Sequence, residues 1–387
     1  MILKKNIFLK NFKNKVYTKN IHKDLVKLLK NRNQILNSLS NEYKYSYSNR
    51  FIKKFKKFSS LRIIGMGGSI LGMKAIYNFL KFKIKKKIFF IDNLINYRKK
   101  TKEKNYLNLI ISKSGNTLET ISNVNLLINK KTKNIFITEN KDNYLRKLAN
   151  KLKSETVDHN NFIGGRYSVL SEVGMLPTSL VGLNEKKFKQ FNSLLKNKKF
   201  INALVLNVAN IIFFLKKKKF NSIIINYDEN SDDLFKWYQQ LVAESLGKKQ
   251  KGLLPSISTM PKDNHSLMQL YLDGPKNNFF TFFNTSENKS NKLNTRELLK
   301  SHNFLKDKNL YEIAQSQKNA TEKVFNEKKI PFRSFQILKR SEETLGELFS
   351  FFILETILIG RAIKINPYDQ PAVELIKKST KKNLQSY

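Results

Sequence analysis

From residue 61 the chain alternates short apolar runs with helix-like stretches, and this restricts its fold more than any other feature. "LRII" (61–64), "IFFI" (88–91), "LNLIIS" (107–112) and "NIFIT" (134–138) read as strands. "ILGMKAIYNFL" (70–80) and "TLETISNVNLLI" (117–128), which fall between them, read as helices. Such a succession predicts a parallel sheet with helices on both faces. After a link near 181–200 a second series starts. "FNSIIINY" (220–227), "FFTFF" (279–283) and "SFQIL" (334–338) are strand-like, and 231–246, 309–327 and 341–363 are helical. No repeat of solenoid period is present. The expectation is an α/β protein of two doubly wound, three-layer αβα domains, with ligands at the carboxyl ends of the strands. The first domain would span 59–182 and the second 183–387, the latter including C-terminal helices. Residues 1–58, with Leu25, Leu28, Leu29, Ile35, Leu36 and Leu39 at helical spacing, read as an N-terminal helical region.

Composition excludes several chemistries. The chain has no cysteine, so a thiolate nucleophile, a disulfide framework and a Cys-built zinc site are out of the question. Its four histidines, at 22, 159, 265 and 302, lack paired spacing, so no His-built metal site is expected. The best membrane candidate, "FSFFILETILIG" (349–360), is too short to span and carries Glu355. Lysines interrupt the N-terminal apolar residues, against a signal peptide. The expectation is a cytoplasmic, globular protein with no membrane partner. The formal net charge of +43 comes from lysines spread over nearly the whole chain, with only ten arginines. Arginine is the better reader of bases and phosphates, so no specific nucleic-acid partner is expected.

Two loops have the composition of phosphate sites. In "GMGGSILG" (65–72), Gly65, Gly67 and Gly68 follow a strand, and Ser69 is placed to cap the next helix. The dinucleotide pattern fails because Ile70 stands where its third glycine belongs, and no Gly-Lys-Ser/Thr follows for a P-loop. In "SKSGNTLET" (112–120), Ser112, Ser114, Thr117 and Thr120 surround one glycine at a strand–helix junction. Four hydroxyls exceed what capping needs, and Lys113 can add charge. Together they suit a phosphate monoester.

Three further segments carry candidate chemistry. "GGRYSVLSEVGMLP" (164–177) places Arg166 after two glycines, where a guanidinium can meet a developing oxyanion. In "YQQLVAESLGK" (238–248), Leu234, Tyr238, Leu241 and Ser245 form one helical stripe. Glu244 lies on its flank with Gln240 one turn back, where a carboxylate can act as a general base. "DNHSLMQLYLDGP" (263–275) supplies His265, and "NPYDQPAVELIKK" (366–378) supplies Gln370, Glu374 and Lys377 on a helix expected from about Pro371.

Taken together and in this order, these segments resemble the phosphoglucose isomerase family, over roughly residues 60–377. "SKSGNTLET" fits any sugar-isomerase (SIS) domain, whereas the Arg, Glu, His and Gln/Lys blocks together are specific. The resemblance implies two SIS-type domains and cofactor-free aldose–ketose isomerisation of glucose 6-phosphate and fructose 6-phosphate. By motif, Glu244 matches the base that carries a proton between C2 and C1, and Arg166 the group that stabilises the enediolate. His265 and Lys377 match the ring-opening groups. Ser112, Lys113, Ser114, Thr117 and Thr120 match the phosphate loop, and Gly68, Ser69, Gln240 and Gln370 match sugar-contacting positions. The family is dimeric, with the histidine crossing to the neighbouring site, so a homodimer acting on a hexose 6-phosphate is implied. The chain departs from the family pattern at Met260 and Asn264 in the histidine segment, and at Ala372, where glycine is usual. A sugar-phosphate-binding SIS regulator without catalysis is the alternative; it leaves Arg166, Glu244, His265 and Lys377 without a task.

Overall fold

The computed structural model describes residues 2–94, 106–286 and 290–386. Among these residues, ten strands form two five-stranded sheets. In chain order they are β1 (Ile7–Lys10), β2 (Ser60–Gly65), β3 (Lys87–Ile91), β4 (Tyr106–Ile111), β5 (Lys133–Glu139), β6 (Glu155–His159), β7 (Asn221–Asn226), β8 (Leu254–Thr259), β9 (Asn278–Thr285) and β10 (Phe332–Ile337). The first sheet runs β3-β2-β4-β5-β6 and is parallel throughout. The second runs β1-β10-β9-β7-β8 and is parallel except for β1, which pairs antiparallel with β10. Both are doubly wound α/β sheets, as the strand–helix alternation predicts.

β1 corrects the reading of residues 1–58 as helical. Helices Lys19–Lys30, Gln34–Leu39 and Asn49–Phe55 are present, but Ile7–Lys10 crosses over to edge the second sheet, Ile7 facing Ile337. Two further strands, β6 and β8, fall outside the apolar runs of the sequence. Both are edge strands with few apolar residues, and β8 carries Pro255, which only an edge tolerates.

Eighteen of the 21 residues of the helix Glu342–Ala362 are buried, so it has no polar face and lies inside the protein. Its Glu355 is fully buried against Arg333 of β10, and Tyr238 donates to the same carboxylate at 3.1 Å. The helix Lys198–Lys216 is long and apolar enough to cross a membrane by length and composition. Its buried Asn207, however, accepts from Arg333 at 2.7 Å, and ten of its residues are buried in the protein core.

The winding of the first sheet fixes where a ligand can sit. Its strand order reverses between β2 and β4, and loops at such a point diverge and open a crevice. Gly65, the last residue of β2, lies in register with Ile111, the last of β4. The two glycine- and serine-bearing loops therefore leave the sheet side by side.

Candidate active site

Close backbone approach shapes the first loop. Gly67 has φ +51°, and a Cβ there would lie 2.7 Å from Gln240 Nε2. A Cβ on Gly68 would lie 2.2 Å from the carbonyl carbon of Gly165 and 2.5 Å from the nitrogen of Arg166. The glycines thus let three segments converge: the loop after β2, the turn Gly165–Leu170, and the helix Asp232–Leu246. Ser69 does not cap the following helix. It ends a short 3₁₀ turn, and the helix starts at Leu71 without a side-chain cap.

The second loop presents its hydroxyls together. Ser112, 2% exposed, shares a 2.8 Å hydrogen bond with Thr117, and Ser114 accepts from the nitrogen of Asn116 at 3.3 Å. Thr120 is fully buried on the first turn of the helix Leu118–Leu127, and its hydroxyl has no partner within the protein. A buried polar atom left in this state marks a place for a ligand or water. Gly115 (φ +65°) makes the tight turn, where any side chain would collide with Asn143. Lys113 points its ammonium at Glu139, 3.4 Å away at the end of β5.

Arg166 is the centre of the site. Its side chain is 1% exposed, and all five of its N–H groups have partners. Nε donates to Ser245 Oγ at 2.8 Å, and Nη2 donates to the carbonyls of Pro367 at 2.8 Å and Asp369 at 3.0 Å. Nη1 donates to Gln370 Oε1 at 2.7 Å and Glu244 Oε2 at 3.4 Å. Trp237 Nε1 donates to the Arg166 carbonyl at 3.2 Å, which holds the backbone beneath the guanidinium. Glu244, 30% exposed, and Gln370 are the groups on the solvent-facing side of this cation. Gln240, on the same helix, has a buried Oε1 with no partner.

Two expected site residues stand apart. His265 is exposed and follows β8. Its loop is tied to the start of the helix Asp232–Leu246: Thr259 donates to Asp232 Oδ2 at 2.9 Å, and Asp263 accepts from the Thr259 nitrogen at 2.8 Å. Glu244 is twelve residues further along that helix, about 18 Å away at 1.5 Å per residue. Lys377 lies on the helix Val373–Gln385, which has no buried residue, and pairs with Glu374 at 2.6 Å. That helix begins two residues later than Pro371.

Sequence reasoning misses the part played by Ser245 and Tyr167, both fully buried and both bonded to the Arg166 cluster. A signal was available. Ser245 falls on the apolar stripe with Leu234, Tyr238 and Leu241, and a hydroxyl at a core position needs a partner. Among the described residues, no group of three or more His, Asp or Glu is placed to hold a metal ion.

The model of the phosphoglucose isomerase family matches residues 11–386. The chain belongs to the phosphoglucose isomerase family. Among relatives, it is 32% identical over 352 residues to a glucose-6-phosphate isomerase of Methanocaldococcus jannaschii, covering 84% of each chain. It is 31% identical to the Campylobacter jejuni glucose-6-phosphate isomerase, covering 87% of this chain and 88% of the relative. Among solved structures, a hypothetical protein of Thermus thermophilus superposes with a TM-score of 0.82 at 21% identity, covering 95% of this chain and 94% of that one. A Chlamydia trachomatis glucose-6-phosphate isomerase superposes with a TM-score of 0.69 at 20% identity, covering 87% and 72%. The two α/β sheets thus share the fold of that glucose-6-phosphate isomerase.

Proposed function

We propose that this phosphoglucose isomerase interconverts glucose 6-phosphate and fructose 6-phosphate through an enediolate, with Glu244 as the base and Arg166 as the oxyanion partner. The observation that carries the proposal is the contact of both residues at one edge of a buried guanidinium, 3.4 Å apart. Proton removal beside a carbonyl needs a carboxylate and a fixed positive group together.

The phosphate is held by Ser112, Ser114, Thr117 and Thr120 at the N-terminus of Leu118–Leu127, where the helix end favours an anion. The unpartnered Thr120 hydroxyl supports this placement. Lys113 contributes at longer range, its ammonium being paired with Glu139. Gly68, Ser69, Gln240 and Gln370 line the sugar, and the free Gln240 Oε1 is an acceptor for a sugar hydroxyl. Anchoring the phosphate also fixes C1 and C2 beside Glu244, which converts binding into orientation.

Starting from the aldose, ring opening moves a proton from the O1 hydroxyl to the ring oxygen, the task of His265 and Lys377. Glu244 then takes the hydrogen from C2, the C1=C2 bond forms, and the charge on O1 is met by Arg166 Nη1. Glu244 returns the proton to C1 while the O2 proton passes to O1, which leaves the ketose. The separation of His265 from Glu244 along one helix supports a homodimer in which His265 serves the partner's site. A hexose phosphate does not cross a bilayer unaided, which supports a cytoplasmic enzyme working where its substrate is made.

A coupled assay on the purified protein, with both hexose phosphates and without added metal, tests this. Interconversion is expected, and Glu244→Gln should lower kcat by roughly 10²–10⁴-fold with substrate still bound. Ligand-dependent stabilisation without turnover would support the non-catalytic regulator instead.

A further inference from the structure

Behind Arg166 runs a hydrogen-bond chain whose direction is set by chemistry alone. Arg166 Nε can only donate, and it donates to Ser245 Oγ at 2.8 Å. At the far end the Pro367 carbonyl can only accept, and it receives the Tyr167 hydroxyl at 2.9 Å and Arg166 Nη2 at 2.8 Å. A phenol has one proton, so Tyr167 spends its own on Pro367 and its oxygen accepts from Ser245 at 2.8 Å. The Ser245 proton therefore points at Tyr167, and a Ser245 lone pair faces the guanidinium. Neither hydroxyl retains a free rotor.

We propose that Ser245 and Tyr167 are positioning residues for the isomerisation, locking the Arg166 guanidinium so that Nη1 alone faces the reacting carbons. The inference rests on the isomerase reading of this site. Three of the five N–H groups end on acceptors away from the reacting edge: the buried Ser245 hydroxyl and the backbone carbonyls of Pro367 and Asp369. The remaining two meet Gln370 and Glu244, side chains of the substrate-facing edge. Substrate need only displace these two contacts to present its oxygen to Nη1. A donor held ready in this way stabilises a developing charge without reorganising as the charge forms.

Burial reinforces the lock. Ser245 and Tyr167 are fully buried, and burial pushes the Tyr167 phenol up to about 12, so it remains a proton donor across the physiological range. The backbone of Arg166 is held separately by Trp237 Nε1. Loss of either hydroxyl therefore loosens the guanidinium at Nε, while its Nη2 bonds to Pro367 and Asp369 and its backbone stay in place. Tyr167→Phe removes one oxygen and leaves Pro367 with its Nη2 bond. The Ser245 proton, released from Tyr167, can then swing toward Nε and oppose it.

The test uses the full-length enzyme with Tyr167→Phe and Ser245→Ala. It measures kcat, KM for fructose 6-phosphate, and binding of two inhibitors: a sugar-acid hydroxamate phosphate that mimics the enediolate, and an unreactive polyol phosphate. A positioning role predicts that kcat falls roughly 10–100-fold with KM within about threefold. Affinity for the hydroxamate should fall in step with kcat, while affinity for the polyol phosphate stays unchanged. Unaltered kcat in both variants overturns the proposal, as does an equal loss of affinity for both inhibitors. If Ser245→Ala does not fold, the near-isosteric Tyr167→Phe decides the matter alone. A wild-type enzyme without isomerase activity would refute the reading of the site itself, a result distinct from active enzyme with indifferent variants.

Discussion

Gly68 and Gly165 meet backbone to backbone: a Cβ on Gly68 would fall 2.2 Å from the carbonyl carbon of Gly165, on main chain that cannot step aside as a side chain could. Two loops more than ninety residues apart in sequence are thereby fitted to each other, one beside the hydroxyl-bearing loop after β4 and the other carrying Arg166.

Gly68→Ala should therefore displace the Arg166 turn. A misplacement of about 1 Å is enough to cost roughly 100-fold in turnover. We expect kcat/KM for glucose 6-phosphate to drop by about that factor with the circular dichroism of the folded protein retained. Activity within about threefold of wild type would mean that the contact relaxes without moving the guanidinium.

A site shared between subunits predicts rescue by mixing. Glu244→Gln and His265→Ala should each be inactive as pure proteins. After joint unfolding and refolding, about half of the dimers would be mixed, each with one site carrying both lesions and one carrying neither. About a quarter of wild-type activity should return, a consequence of the two-fold symmetry of a closed dimer. Absence of recovery, with mixed dimers confirmed by native mass spectrometry, would place His265 outside the partner's site.

Glu347 gives a pH-dependent stability prediction independent of catalysis. Burial raises its carboxyl from the usual 4.5 to about 7, its Oε2 has no partner, and Lys4 is 3.8 Å from Oε1. Between these two values the folded chain holds a proton that the unfolded chain releases, so stability falls as pH rises through the window. Above it the cost is fully present, and below about pH 4.5 it is absent. Glu347→Gln should match wild type in melting temperature near pH 4.5 and exceed it by about 3 °C or more at about pH 8. An equal gap at both pH values would show that the side chain acts through packing instead of charge.

Much of the fold is legible because its signals are local. Strands buried on both faces, such as "LNLII" in β4, announce themselves as apolar runs, and the helices between them by periodicity. β6 and β8 carry no such signal because an edge strand has less to bury. β1 is hidden for another reason: its partner, β10, lies more than three hundred residues away, and only their pairing makes "IFLK" a strand.

The site divides along the same line. Which chemical groups are present can be read from the chain alone: the hydroxyl loop, the guanidinium after two glycines, and the carboxylate near the end of a helix. How those groups stand to one another came from packing. It turned Ser245 from a member of an apolar stripe into the acceptor for Arg166 Nε, directed Lys113 to Glu139, and tied the loop that carries His265 to the opposite end of Glu244's helix. Residue type and spacing report what a segment can do with its neighbours in the chain. Which N–H finds which oxygen depends on how separate segments meet in space, and no local pattern encodes that.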